Sequence, residues 1–469
     1  MRAALGLLRR RDLALLWAGG LISETGDWLL LVGLPVWVLE LTGSSLVTAS
    51  VFLVGLLPSL LAGPLAGVLV DRWDRRRTLV AVSLAQAVFL LPLLAVHGRQ
   101  QLWIVYLVIA VESVLAQLND PARSALLPAL VGERELVAAN GLVGLNGNLA
   151  RLVGSPLGGV LVELAGLPGL VLGDALSFLA GAALVALVRT PAAGAPGRAA
   201  AGAAAAAAGL LREWRDGLAV TLRSRRLRWG LLVSALAAVA QGLFTVLFVL
   251  FVTRVLRGDG ADVGLLRGVQ AIGGIAGGLL VVGLSSRLAP GRLVGASLLA
   301  FGGVSLAIWN GPQLTTATPL YVGLFVAAGV PAVAMLTGLT ALVQTETPDA
   351  YLGRVFATYF GTYNGLQALG MLLAGLLGDA LGVVAVLNGQ AGLYLLAGAV
   401  ALLALGRRHA GSRGHAGGHG HRRRPGSHRP GVESRSRIPG CRDGVAAGGG
   451  AHAPRRRDGP ARHPVVLLP

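Results

Sequence analysis

The sequence predicts an all-α membrane protein, with twelve transmembrane helices arranged as two pseudo-symmetric six-helix bundles. Three observations carry that expectation: an apolar composition, a one-sided distribution of arginines, and glycines that recur at a fixed offset. Of the 469 residues, 54% are hydrophobic and 13% charged, with a mean hydropathy of +0.70. An average soluble protein is roughly 25% charged, because a water-facing surface demands it. A disordered chain would be more polar still. The composition therefore excludes a soluble enzyme and a disordered chain, and the 69 glycines suit closely packed membrane helices.

A membrane helix needs about 20 mostly apolar residues. Twelve such stretches run near 13–39, 46–70, 79–96, 102–119, 141–162, 169–188, 230–253, 264–284, 293–309, 319–342, 355–377 and 383–405. The first is too long for a cleavable signal peptide, carries Asp27 inside, and is followed at once by a second span. Threaded alternately through a bilayer, these spans put 21 arginines at one face and only Arg99, Arg254 and Arg257 at the other. By the positive-inside rule both termini are cytoplasmic, in a multi-pass protein of the cell membrane. All basic residues are Arg, and with the Ala and Gly bias this points to a GC-rich bacterial genome. The single cysteine, Cys441, excludes an intrachain disulfide and a cysteine metal site.

The expected organisation is an N-terminal bundle over 1–188, a cytoplasmic linker over 189–229, a C-terminal bundle over 230–406 and a disordered basic tail over 407–469. In the linker, 191–208 is Ala/Gly/Pro-rich and reads as flexible, whereas 210–229 is basic and amphipathic and suits the membrane surface. The tail holds 14 Arg and seven of the eight His without hydrophobic periodicity, and no role is assigned to it. Gly67, Gly154, Gly159 and Gly166 each have a glycine 216 residues later, at Gly283, Gly370, Gly375 and Gly382. Duplicated halves with a site between them are a transporter architecture.

After the second span the chain reads Gly67-Val-Leu-Val-Asp71-Arg72-Trp73-Asp74-Arg75-Arg76-Arg77. This resembles the loop 2–3 signature of the major facilitator superfamily, with Asp74 where a glycine is usual. Trp17 to Trp28, Pro121-Ala122, Leu126 to Pro128 and Ala139-Asn140 resemble the macrolide-efflux and enterobactin-exporter branch. Gly154-Ser-Pro156-Leu-Gly158-Gly159 resembles the helix 5 antiporter motif, with its proline moved one place. The resemblance covers about residues 9–405. It implies that the loop with Gly67, Asp71, Arg72, Arg75 and Arg76 latches the two halves in the outward-open state, with Asp120 as a partner for Arg75. The plainer alternative is that the arginines only set topology.

Charge at mid-membrane depth is expensive and usually functional. Asp27, Glu112 and Arg151 lie at that depth in the N-terminal half, and Glu24 lies one turn before Asp27. The expectation is one network in which Arg151 pairs one carboxylate and the other carries a proton, Asp27 first and Glu112 second. A static ion pair joining the helices is the alternative. Asp174 and Arg267 sit near helix ends, where snorkelling to the interface explains them. Candidates for a substrate cavity are Gln241, Phe244 and Phe248 at i, i+3, i+7, and Tyr359, Tyr363 and Gln367 at i, i+4, i+8 with Asn364 beside them. Aromatic faces suit amphipathic molecules, although ordinary helix packing would produce the same spacing.

The functional expectation is a secondary transporter, not an enzyme, exporting an amphipathic small molecule such as an antibiotic or siderophore. The proton gradient is the energy source, with no cofactor and no metal. The expected partners are the lipid bilayer, the small amphipathic substrate and protons, with no nucleic acid, and the chain is expected to act as a monomer. The motifs do not state direction, so an importer or lysolipid transporter on the same fold stays open, as does a membrane scaffold or sensor that transports nothing.

Overall fold

The structure, a computed structural model, describes residues 6–70, 73–132, 135–189, 203–284 and 288–406. It is all-helical, with no strand among the described residues. In chain order the helices are α1 (Arg11–Thr42), α2 (Ser45–Val70), α3 (Arg75–Leu90), α4 (Leu102–Ala116), α5 (Asn119–Leu130), α6 (Leu136–Ala186), α7 (Ala203–Arg223), α8 (Arg225–Leu250), α9 (Gly260–Leu284), α10 (Pro290–Asn310), α11 (Thr318–Glu346), α12 (Leu352–Leu381) and α13 (Val383–Leu405). Ten helical stretches are long and apolar enough to cross a membrane, and α2 begins with a further apolar stretch over Ser45–Pro58. In hydrocarbon every backbone amide must find its partner within the segment, which is why these apolar runs are helical rather than extended.

Two expected spans, 141–162 and 169–188, fall within the single 51-residue α6. Gly166 breaks that helix with φ 59° and ψ −154°, a conformation that a side chain would disfavour. Gly382, 216 residues on, has φ 86° and separates α12 from α13. Two of the other three glycine pairs, Gly154/Gly370 and Gly159/Gly375, also occupy like positions. A Cβ on Gly154 would lie 2.9 Å from Trp28 Cβ in α1, and one on Gly370 would lie 3.0 Å from Gly242 Cα in α8. A Cβ on Gly159 would lie 2.8 Å from the Gly260 carbonyl carbon in α9, and one on Gly375 would lie 2.8 Å from Ala49 Cβ in α2.

Helices before α7 pack chiefly on one another, α1 and α3 against α6 and α2 against α4. Those after it do the same, α8 against α12 and α13, and α9 and α10 against α11. Two interfaces dominate the contact between these sets, α6 with α9 and α2 with α12. The linker differs from expectation. Ala203–Ala208, read as flexible, already belong to α7, because an alanine run has the highest intrinsic helix propensity. Nor does α7 lie free: Thr358 of α12 donates to the Trp214 carbonyl (3.2 Å), and Arg354 pairs with Asp216 at 3.4 Å. Residues 190–202 of the linker and the tail from 407 lie outside the described residues.

Candidate functional site

The Gly-Pro-Gly-Gly motif of α6 sets how closely its neighbours approach. A Cβ on Gly158 would lie 2.8 Å from Leu29 Cα, so α1 crosses α6 backbone to backbone. On the other flank Pro156 meets Gly264 and Gly268 of α9. Small residues at a crossing permit this approach, and it brings Asp27 and Trp28 of α1 beside charged groups from four other helices.

Around Asp27 is an acidic cluster. Asp27 lies within electrostatic reach of Glu24, Asp120 and Arg123, and also of Glu112 in α4 and Asp174 in α6. Asp27 itself is exposed, although its neighbours come from several helices, so it faces an accessible interior space rather than lipid. Arg123 pairs with Glu24; Gly20 makes room, since a Cβ there would lie 3.1 Å from the guanidinium carbon. Asp174 is 1% exposed and accepts from Ser177 Oγ at 3.2 Å. Glu112 Oε1 is buried with no hydrogen-bond partner among the described residues, and Gln86 lies beside the carboxyl.

Around Trp28 is a cationic, aromatic cluster. Arg151 donates from Nε to the Arg267 carbonyl (3.0 Å) and from Nη2 to Gln270 Oε1. Its guanidinium lies 5.3 Å from the centre of the Trp28 ring. Arg267 lies over Phe244 at 5.1 Å and Phe248 at 5.8 Å. Neither arginine has a carboxylate partner among the described residues. An arginine at the centre of a membrane helix costs roughly 2.5–3.5 kcal/mol on insertion scales, and contact with aromatic faces returns about 0.5–2 kcal/mol each. Beside the arginines is a cavity of about 70 Å³ lined by Arg151, Phe244, Gln270, Ser305, Trp309 and Phe325, among others.

Several expectations need correction here. The predicted pairing of Arg151 with Asp27 or Glu112 is absent: Arg151 turns to α9, and the acids gather around Arg123 instead. Arg123 reads in the sequence as a loop residue, yet α5 continues the fourth span inward and carries it to Glu24. Asp174 and Arg267 do not snorkel; both turn into the protein, towards Ser177 and towards Phe244. Arg75 donates to the Ala125 carbonyl (2.9 Å) rather than pairing with Asp120, because Asp120 sits by the Glu24 cluster. Arg76 donates to the Ala186 carbonyl, so these bonds stay among helices that precede α7. Asp71 and Arg72 lie outside the described residues; Gly67 lies within α2. Asp74, which departs from the usual glycine, N-caps α3 by accepting from the Arg77 amide at 2.8 Å.

The cavity candidates divide. Phe244 lines the cavity, Phe248 packs beside it with ring centres 5.4 Å apart, and Gln241 accepts from Tyr394 Oη at 3.1 Å. Tyr359 does not face it: its hydroxyl donates to the Leu227 carbonyl, and its ring packs among Leu227, Val343 and Val355. Tyr363, Asn364 and Gln367 are half-buried on α12 and do not line the cavity.

A third group was not anticipated. At the arginine-poor end, Glu163 of α6 accepts from the Gly260 amide at 2.6 Å, the first residue of α9. Asp379 of α12 accepts from the Ser45 amide (3.2 Å) and hydroxyl (2.7 Å) at the start of α2, and from Arg254 at 2.7 Å. Arg254 also donates to the Gly43 carbonyl at 2.8 Å. Glu163 and Asp379 are themselves 216 residues apart, so the glycine register carried the signal for this pair.

Comparison with known proteins agrees with this architecture. The transmembrane secretion effector family matches residues 2–414. A macrolide efflux protein A of Streptococcus pyogenes is 27% identical over 371 residues, covering 78% of this chain and 89% of that one. A multidrug efflux pump of Mycolicibacterium fortuitum is 28% identical over 407 residues, covering 84% and 96%. Among solved structures, a bacterial homologue of the iron transporter ferroportin in its inward-facing state aligns with a TM-score of 0.65 at 18% identity, covering 84% and 98%. These relatives are membrane transporters, not enzymes, and the chain belongs to the transmembrane secretion effector family of the major facilitator superfamily.

Proposed function

We propose that the protein is a proton-coupled exporter of an amphipathic small molecule, working by alternating access. The observation that carries the reading is Glu112: a buried carboxyl oxygen without a partner, in a group of acids whose described cation, Arg123, is already engaged by Glu24. Carboxyls crowded together, with Asp174 and Glu112 Oε1 buried, are not readily all ionised, and one of them holds a proton that it can release when the surroundings change. Asp27, exposed to the interior space, is the acid positioned to exchange that proton with water.

Twelve spans follow if α2 is counted and α6 is divided at Gly166. The recurrence of helix contacts at the 216-residue offset supports two pseudo-symmetric bundles. With the arginine-rich ends cytoplasmic, the bonds of Glu163, Asp379 and Arg254 would close the outer face, which supports reading this as an inward-facing state. Two relatives are named for macrolide and multidrug efflux, and the aromatic rings of Trp28, Phe244 and Phe248 beside the arginines suit an amphipath better than a sugar. An antibiotic such as a macrolide, or a siderophore, is the proposed cargo class.

The test is accumulation of a macrolide and other amphipaths in an exporter-deficient bacterium expressing the intact protein, Asp27→Asn or Glu112→Gln, with and without a protonophore. Reduced accumulation that the protonophore and both substitutions abolish supports the reading. Reduced accumulation indifferent to all three excludes proton coupling through these acids.

A further inference from the structure

We infer that Arg151 and Arg267 form the anchor for an acidic head group, so that the cargo is an amphipathic anion: a carboxylate or phosphate on an aromatic or aliphatic body. The inference deepens the efflux reading and rests on it. Two guanidiniums sit within the apolar helices α6 and α9, one from each side of the linker, close enough that Arg151 bonds the Arg267 backbone. Arginine does not discard its charge, so neutralisation must come from an anion. None of Glu24, Asp27, Glu112 and Asp174 pairs with either arginine among the described residues, and Glu24 is engaged by Arg123.

The hydrogen-bonding inventory points the same way. Arg151 uses Nε and Nη2 on neutral acceptors, leaving Nη1. The Arg267 guanidinium makes no hydrogen bond to the described residues; it rests on Phe244 and Phe248, with its donors unspent. Stacking on rings holds a guanidinium flat while its edge stays open to a planar carboxylate or a phosphate. Phe301, Trp309 and Phe325 line the small cavity beside Arg151, so apolar contacts for the body lie next to the head-group donors. Because the arginines belong to helices that meet across the α6–α9 interface, an anion held by both would tie that interface together. Its release would accompany separation of the two helices.

The experiment uses the full chain purified into zwitterionic nanodiscs and three probes with one fluorophore: dansylglycine (anion), dansylglycinamide (neutral) and dansylcadaverine (cation). Binding is read by energy transfer from Trp28 and Trp309. One charge-assisted anchor is worth at least about tenfold in affinity, so dansylglycine should bind about tenfold or more tighter than the amide. Arg151→Gln and Arg267→Gln should each bring the two within about threefold, while Arg267→Lys keeps part of the preference. Size-exclusion profile and thermal midpoint identify folded variants, and either Gln variant suffices if the other does not fold. Displacement by a lysophosphatidylglycerol but not by inorganic phosphate marks a lipid-like anion; displacement by both marks a general anion site. Equal binding of anion and amide, a preference that survives both Gln substitutions, or no binding of the anion to folded protein overturns the inference. Export of the neutral or cationic probe, unchanged by the Gln substitutions, would leave efflux standing while the anchor falls. Export of no probe would remove the efflux reading, and the binding ratio would still decide the anchor.

Discussion

Replacing Asp379 by Asn should open the arginine-poor end of the molecule. The carboxylate accepts from Arg254, from the Ser45 hydroxyl and from the Ser45 amide at the N-terminus of α2. These contacts join α12 to the start of α2 and to Arg254 in the turn after α8 in one state of the transporter, and must break in the other. A buried charge-assisted bond would contribute about 1.5–3 kcal/mol. The Arg254–Asp379 pair is 36% and 47% exposed, however, so screening reduces it to about 0.2–1 kcal/mol. The helix N-terminus adds about 0.3–1 kcal/mol, and the hydroxyl about 0.5–1 kcal/mol. The total is roughly 1–3 kcal/mol, or about a 5- to 160-fold shift in the ratio of the two states. Spin labels at His97→Cys and Leu314→Cys, two exposed residues in loops of this end, report the distance across it in a Cys441→Ser background. The longer-distance population should grow by that factor, and Glu163→Gln should act in the same direction. Unchanged distance distributions in both variants would refute the assignment of these acids as the closure.

Other substitutions separate packing from transport. Gly158→Val places side-chain atoms into the Leu29 backbone; it should cost about 3 kcal/mol or more, read as a loss of folded protein on size-exclusion chromatography. Asp74→Ala removes the cap on α3 and should lower stability by about 0.5–2 kcal/mol in thermal unfolding, with the cargo range unchanged. Tyr359→Phe frees the buried Leu227 carbonyl; it should cost about 1–2 kcal/mol in stability without altering which compounds are bound. A changed cargo range in that variant would return Tyr359 to the cavity.

The fold was legible because its signal is one-dimensional. Span length, arginine asymmetry and a constant offset are properties of the chain, and a bilayer leaves few alternatives to helices. Even Gly166 and Gly382 stood out, as glycines 216 residues apart that the structure shows with positive φ. The sites were legible only in part. Depth along a span placed Asp27, Glu112 and Arg151 near the middle, but depth says nothing of azimuth. Arg151 bonds α9 and Glu24 bonds Arg123, which periodicity on separate helices cannot reveal. Arg123 was hidden because α5 prolongs the fourth span beyond its apolar stretch. The Glu163 and Asp379 contacts join residues 97 and 334 positions from their partners, and only the repeat register hinted at them.

The central claim is that proton movement through Glu112 and Asp27 drives cargo across the membrane. Purified protein in proteoliposomes, with an imposed pH gradient and a labelled macrolide or dansylglycine as cargo, tests it directly. Gradient-driven flux should occur with the intact chain. It should fall by at least about tenfold, the loss expected when a positioned proton carrier is removed, in folded Glu112→Gln and Asp27→Asn. Flux that ignores the gradient, or that keeps its dependence in both variants, would contradict the account.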